Sequence, residues 1–318
     1  MAKILELALP VMLHSDSEVP VFLGAKERLE NMGRRYGVLI EVGAFLPYMP
    51  NSSRRQEAFD KQAVNQAKYK LPIMLVETGI QRHNGLTYVS SDPTYNPSTP
   101  SDIDKVIDQV GLLRDLDQNP RQDLVVAPHV GALVIPSMQQ GDFSKPGFYS
   151  VADFLRLRNQ LYDAAKKRFA ELQSRTKNKG LVLALENAYP ACFESFDFYQ
   201  GGSSRFALDY QVFNDIESLR GISGDNLVLD LAHLVAVRDL PNQFARQTAI
   251  SPGVLFETVG VSSWEDFLGR IGEIKDYLPH SRALHLSQTE GIGVRMKDAS
   301  IEEAGVWGGK RRTSKTYF

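Results

Sequence analysis

The sequence predicts an α/β chain whose parallel strands are joined by crossover helices and close into a (β/α) barrel. Three observations predict it. Seven short β-rich runs recur from end to end of the 318 residues. Helical patterns fill the intervals between them, an alternation that requires parallel strands with crossover connections. The segments that follow strands are long and those that return from helix to strand are short, as in a barrel that gathers its loops on one face. A chain of this length, 43% hydrophobic, can bury one large core, so residues 1–318 are read as one domain with an irregular tail at 289–318.

In order, the β-rich runs fall at 3–13, 36–45, 71–80, 123–133, 180–188, 226–234 and 281–288. Helical spacing marks 18–35, 53–70, 100–116, 150–177, 203–220 and 262–277. Ser52 or Ser53, Ser101 and Ser263 stand where a hydroxyl can accept from the first-turn amides of a helix. The loops at 81–99, 134–149, 189–202 and 235–261 carry aromatic residues, among them Tyr88, Tyr95, Phe143, Phe148 and Phe198. They can wall a pocket or simply pack the loops together.

A net charge of −2 and a pI near 6.3 give no global reason to bind nucleic acid. Cys192 is the only cysteine, so no internal disulfide can form. The first residues, MAKILELALP, lack the basic start and long apolar run of a signal peptide. No stretch approaches the roughly 18 apolar residues of a membrane helix. A cytoplasmic protein acting on a small-molecule substrate is expected.

The chemistry gathers where four strands end. VVAPHVG places His129, LVLALENA places Glu186, NLVLDLAH places Asp230 and RALHLSQ places His285 at nearly equivalent positions. Side chains alternate along a strand, so the residues two before these, Ala127, Ala184, Val228 and Ala283, share their face. All four are small, as a tapering barrel interior requires, while Val126, Leu183, Leu185, Leu229, Leu231 and Leu284 are expected to pack under the helices. Imidazoles and carboxylates converging in an apolar mouth are costly to bury unpaired, and a divalent cation removes that cost. Mixed nitrogen and oxygen donors suit zinc, manganese, iron or cobalt.

PHVGA, LALENA, LDLAHL and LHLSQ resemble the strand-end signatures of the xylose-isomerase-like TIM barrel superfamily, which includes sugar isomerases and epimerases and endonuclease IV-like enzymes. The resemblance covers the chain to about Gln288. It implies that Glu186, Asp230 and His285 coordinate a divalent metal, with His233 and His129 as further ligands or as substrate contacts. Glu186 doubles as a proton-transfer group, and His233, read as starting a loop, can polarise a substrate oxygen. Glu41 and Glu77, read as strand-end residues followed by Gly43 and Gly79, are candidate substrate contacts or salt-bridged barrel glutamates.

The family's eighth strand, ending in a glutamate that completes the metal shell, has no counterpart in the tail. A short strand at 293–296 is conceivable, and Glu290, Glu302 and Glu303 are the carboxylates in reach of the role. A partner copy, an irregular tail or residues beyond this sequence can close the barrel. The cluster Lys310, Arg311 and Arg312 reads as a solvated charge run. The resemblance implies a metal-dependent isomerase or epimerase of a small sugar or related polyhydroxy carbonyl compound. The alternatives are a metal-dependent phosphodiester hydrolase of the endonuclease IV kind, or a non-catalytic barrel that binds a ligand or partner.

Overall fold

The computed structural model describes residues 4–11, 13–46, 55–78, 103–116, 123–130, 151–177, 179–188, 191–195, 205–209, 213–246, 252–285, 293–295 and 301–302. The chain is α/β, with parallel strands joined by helices, as the sequence predicts. It falls into two compact units, one made of Met1–Gly79, Ser101–Pro128 and Ala170–Ala184, the other of Ile80–Pro100, His129–Phe169 and Leu185–Phe318.

The first unit is built on a five-stranded parallel sheet. Its strands are β1 (Ile4–Pro10), β2 (Leu39–Leu46), β3 (Ile73–Glu77), β4 (Leu124–Ala127) and β5 (Leu181–Leu183), neighbours in chain order. The connections are the helices α1 (Glu18–Tyr36), α2 (Arg55–Tyr69), α3 (Ile103–Asp115) and the C-terminal part of α4 (Val151–Lys177). Its core strands are apolar on both faces: Val42, Ala44, Leu75, Val76, Leu124, Val126 and Leu183 are buried, along with Ile103, Val106, Ile107 and Val110 of α3. Near-continuous apolar runs of this kind are what a covered parallel sheet demands. Helix α1 stops at Gly37, which takes the left-handed conformation at φ 69°.

Glu77 is the last residue of β3, but Glu41 is the third of eight in β2, so its placement at a strand end is corrected. A Cβ on Gly43 would lie 2.3 Å from Met74 Cγ and 2.8 Å from the Pro72 carbonyl oxygen. The glycine therefore admits the neighbouring chain segment of its own sheet.

In the second unit, β6 (Leu185–Glu186), β9 (Leu227–Asp230) and β10 (Ser281–His285) form a parallel sheet in the order β10-β9-β6. β7 (Ala191–Ser195), β8 (Arg205–Asp209), β11 (Gly293–Arg295) and β12 (Ile301–Glu302) form a separate four-stranded sheet in the order β12-β11-β7-β8. The helices are the N-terminal part of α4, then α5 (Ile216–Ser223), α6 (Leu231–Arg238), α7 (Leu240–Arg246), α8 (Gly253–Val259), α9 (Trp264–Ile271) and α10 (Ile274–Tyr277). Trp264 packs edge-on against Phe244, Phe256 and Phe267, with ring centroids 5.0 to 5.5 Å apart.

Several expectations are corrected here. The helix expected over 203–220 begins only at Ile216, because Arg205–Asp209 pairs antiparallel with Ala191–Ser195. Phe206 and Leu208 in RFALD alternate with period two, which suits a strand, and the helix is started by Asp215, whose side chain accepts from the Ser218 amide. The loop expected at 189–202 contains β7, and the one at 235–261 contains the second half of α6 and all of α7 and α8. The strand expected over 226–234 ends at Asp230, and a helix follows at once. The short strand near 293–296 exists, but it pairs with β7 and β12 and so does not extend the β9–β10 sheet. Leu284, expected beneath a helix, is 44% exposed on β10.

Ser263 caps α9 as expected, accepting from the Asp266 amide at 3.1 Å. Ser52, Ser53, Ser101, Gly79, Glu290, Glu303, Lys310, Arg311, Arg312 and the loop aromatics named above lie outside the described residues. Among the described residues no helix is long and apolar enough to cross a membrane.

Candidate metal centre

β9 is buried along its whole length, and its last residue serves two elements. Asp230 ends the strand and caps α6, its Oδ1 accepting from the His233 amide at 3.0 Å. That cap places His233 in the first turn of a helix, which corrects its assignment to a loop. Register does the rest: His285 stands opposite Asp230, and Glu186 stands opposite Val228, two residues before Asp230 and of the same parity. His129 follows β4 by two residues and belongs to the second unit, as do the other four.

The second unit therefore brings together Glu186, Asp230, His233, His285 and His129, all buried. His285 Nδ1 lies 2.7 Å from Asp230 Oδ2 and 3.3 Å from Glu186 Oε1. His233 Nε2 lies 3.7 Å from Asp230 Oδ2. One donor atom from each of His129, Glu186 and His233 lies within 4.8 Å of the other two. The His129 and His233 rings are 6.2 Å apart between centroids. Glu41 and Glu77, the two proposed substrate contacts, are on the five-stranded sheet of the other unit.

The charges in this cluster are set by competition between burial and partners. Burial alone would lower the pKa of His285, but its hydrogen bonds to Asp230 and Glu186 and their charges outweigh that and push it up to about 11. Burial would raise Asp230, yet the facing His233 and the hydrogen bond from His285 hold its carboxyl well below the usual carboxylate range. His129 is pushed down to about 4 by burial, against the pull of Glu186. It is therefore neutral near pH 7, and among the described residues neither of its buried ring nitrogens has a hydrogen-bond partner.

That pair of orphaned nitrogens decides how the cluster fits a metal. A buried polar group left unsatisfied costs about 1–3 kcal/mol, and a neutral imidazole with a bare lone pair is the usual protein ligand for a first-row divalent ion. His233 is oriented to match. Its Nδ1 lies 2.8 Å from the Asn187 carbonyl oxygen, to which it can only donate, so whenever the ring is neutral its lone pair lies on Nε2, the nitrogen 3.7 Å from Asp230 Oδ2. The donor set, three imidazoles with two carboxylates, suits zinc, manganese, iron or cobalt better than magnesium.

Asn187 and Asn214 escape a reading by strand-end charge. Both are buried at 2–3% exposure and both hydrogen-bond to backbone beside the cluster. The available signal is a carboxamide directly after the apolar run LVLALE. An open cavity of about 570 Å³ in the same unit, lined by Arg158, Tyr162, Phe213, Ser218 and Arg270 among others, includes none of the cluster residues.

No family model matches the chain, and no curated protein matches it in sequence. Solved structures similar to it include ones described as sugar isomerases and epimerases or xylose isomerase domain proteins. One, from Anabaena variabilis, is designated a candidate sugar phosphate isomerase/epimerase; identity is 16%, coverage is 90% of this chain and 84% of that one, and the TM-score is 0.40. A 3-keto-D-glucoside 4-epimerase of E. coli is 10% identical over 94% of this chain and 95% of its own, with a TM-score of 0.36. A D-tagatose 3-epimerase-like protein is 13% identical over 80% and 70%, with a TM-score of 0.32. At these values no residue role or reaction passes from those proteins to this chain.

Proposed function

We propose that this chain is a divalent-metal-dependent isomerase or epimerase of a small sugar or related polyhydroxy carbonyl compound, built on a xylose-isomerase-like (β/α) barrel. The observation that carries the metal reading is the buried cluster of two carboxylates and three imidazoles, in which both His129 nitrogens lack a partner. The isomerase reading rests on the sequence resemblance and on the chemistry such a cluster can support.

Glu186, Asp230 and His285 would hold the metal, with His129 and His233 as further ligands or substrate contacts. A divalent cation, when bound, supplies positive charge beside the two substrate oxygens on which negative charge develops as a proton leaves the adjacent carbon. Glu186 would move that proton between neighbouring carbons, the role a positioned carboxylate performs as general base and then general acid. His233, with Nδ1 facing the Asn187 carbonyl, offers a lone pair at Nε2 when neutral. In that state it would accept a proton or bind the cation. Burial of all five groups excludes water from the reacting carbon, which protects a carbanionic species from competing protonation.

The test is incorporation of solvent deuterium. Chelator-treated protein would be reloaded with Mn(II), Co(II), Zn(II) or Fe(II) and incubated with a panel of aldoses, ketoses and their phosphates in deuterated water. Deuterium should enter the carbon skeleton of at least one sugar, and E186Q should abolish it. Absence of both sugar interconversion and exchange with every metal and sugar would sink the isomerase reading.

One observation favours a second reading, a phosphodiester hydrolase of the endonuclease IV kind. Three histidines and two carboxylates in one cluster are more donors than a single tetrahedral ion takes up, and hydrolases of that class use several close ions. Metal stoichiometry separates the two: one tightly held ion per chain favours the isomerase, two or three the hydrolase.

A further inference from the structure

Strand β6 is only two residues long, and its ladder with β9 stops at the pair Glu186↔Val228. Past that point Asp230, the residue that both ends β9 and caps α6, has no strand backbone of β6 beside it. The Asn187 side chain fills the place. Its Nδ2 donates to the Asp230 carbonyl at 3.0 Å, and its Oδ1 accepts from the Asp230 amide at 2.8 Å. A carboxamide is a peptide group without the chain, so the pair reproduces the two bonds that a continuing strand would supply. The same device recurs one residue on. Asn214 Oδ1 accepts from the Ala188 amide at 2.6 Å, and its Nδ2 donates to the Ala188 carbonyl at 2.6 Å.

We propose that Asn187 and Asn214 are positioning residues of the candidate metal centre: two carboxamides that replace missing strand neighbours and fix the separation of Glu186, Asp230 and His233. This rests on reading the cluster as a metal site. Asn187 touches that site three ways. It follows Glu186 directly in the chain, its side chain holds both backbone polar groups of Asp230, and its carbonyl oxygen holds His233 Nδ1. Asn214 acts one step back, locking Ala188 so that Asn187 cannot swing. All four hydrogen bonds of the two amide pairs are buried, which makes each group costly to leave unsatisfied and the geometry correspondingly rigid. A misplacement of a ligand by a fraction of an ångström is enough to weaken a metal site, and outer partners of ligands typically carry a 10–100-fold effect on affinity.

The experiment uses the full chain, stripped with chelator, with Co(II) alone as the probe, at a temperature where circular dichroism shows every variant folded. N187A should bind Co(II) roughly 10–100-fold more weakly and alter the cobalt ligand-field spectrum. N214A should shift both in the same direction by less. N187D keeps the oxygen that accepts from the Asp230 amide but loses the donor to its carbonyl, so it should resemble N187A and serves if N187A does not fold. Amide hydrogen exchange provides an arm that needs no metal: the Asp230 amide should exchange at least tenfold faster in N187A while that of Leu229 stays protected. If N187A and N187D bind Co(II) with unchanged affinity and spectrum and merely melt lower, the asparagines are ordinary structural groups and the inference is overturned. If the unsubstituted chain binds no Co(II), the metal reading falls and takes the inference with it, a result distinct from failure of the variants.

Discussion

Loading the cluster with a metal should expel one proton over most of the accessible pH range. His285 Nδ1 sits between two carboxylates, 2.7 Å from Asp230 and 3.3 Å from Glu186. Although burial opposes the charge, these hydrogen bonds lift the imidazole to about 11, so in the metal-free protein a proton does the balancing that a cation would do. His129, pushed down to about 4 by burial, has no proton to lose near neutrality. A metal that takes the His285 nitrogen must therefore displace its proton, and apparent affinity should rise about tenfold per pH unit without levelling off above neutrality. At pH 7 the displacement costs roughly 5 kcal/mol of the intrinsic binding free energy, from about four units at 1.36 kcal/mol each. An ordinary imidazole would give a slope that flattens above about pH 6.5. The assay is calorimetric titration of chelator-treated protein with Co(II) between about pH 6 and 8, in buffers of differing ionisation enthalpy. About one proton released per ion, with H285N abolishing the pH slope, is expected. A slope that levels off near pH 7, or heats independent of the buffer, would refute the assignment of His285 as a protonated, metal-displaceable group.

His129→Leu replaces two unpartnered buried nitrogens by carbon, so urea denaturation should show the metal-free protein about 1–3 kcal/mol more stable while Co(II) affinity falls at least tenfold. Metal-free stability should also depend on pH in a definite sense. The folded value of His285 lies above its unfolded 6.5, so its contribution is complete below that pH and drains away as pH rises toward 11. Asp230 is shifted the other way, and its contribution is present above the ordinary value of 3.8 and lost as pH falls below it. Thermal melts should therefore decline on both sides of a plateau, and the alkaline decline should shrink when metal is bound. Of two helix caps, Ser263→Ala should cost about 1 kcal/mol in chemical denaturation. Asp215→Ala should cost more, about 1–3 kcal/mol, because Asp215 is 1% exposed and accepts from both the amide and the hydroxyl of Ser218.

What could be read in advance depended on whether a feature leaves a periodic trace in the chain. Glu186, Asp230 and His285 were legible because side-chain parity along an apolar run fixes which face a polar residue takes, and the partners then meet through register. Each of the seven expected β-rich runs overlaps an observed strand for the same reason: runs such as LVVA and LVLD have few ways to be buried other than in a covered parallel sheet. The antiparallel pairing of Arg205–Asp209 with Ala191–Ser195 was not legible, since the two segments are not adjacent in sequence and the period-two alternation of RFALD spans only five residues. The dual role of Asp230 was hidden by its own neighbours. LDLAHLVAV continues the apolar run without a break, and only the side-chain cap on His233 marks where strand becomes helix.

The asparagines are the instructive case. A carboxamide that imitates a peptide group has no spacing rule, because what it replaces is an absence: the strand that β6 is too short to supply. Its presence explains how the candidate ligands of β6, β9 and α6 can be held together where the β-ladder has already ended. Rigidity at the end of a strand is scarce, since loops begin there, yet a metal centre needs its donors fixed before the ion arrives. Side-chain amides that carry the hydrogen-bonding pattern one residue further reconcile these demands, holding the Asp230 backbone past the last ladder pair of β6 and β9.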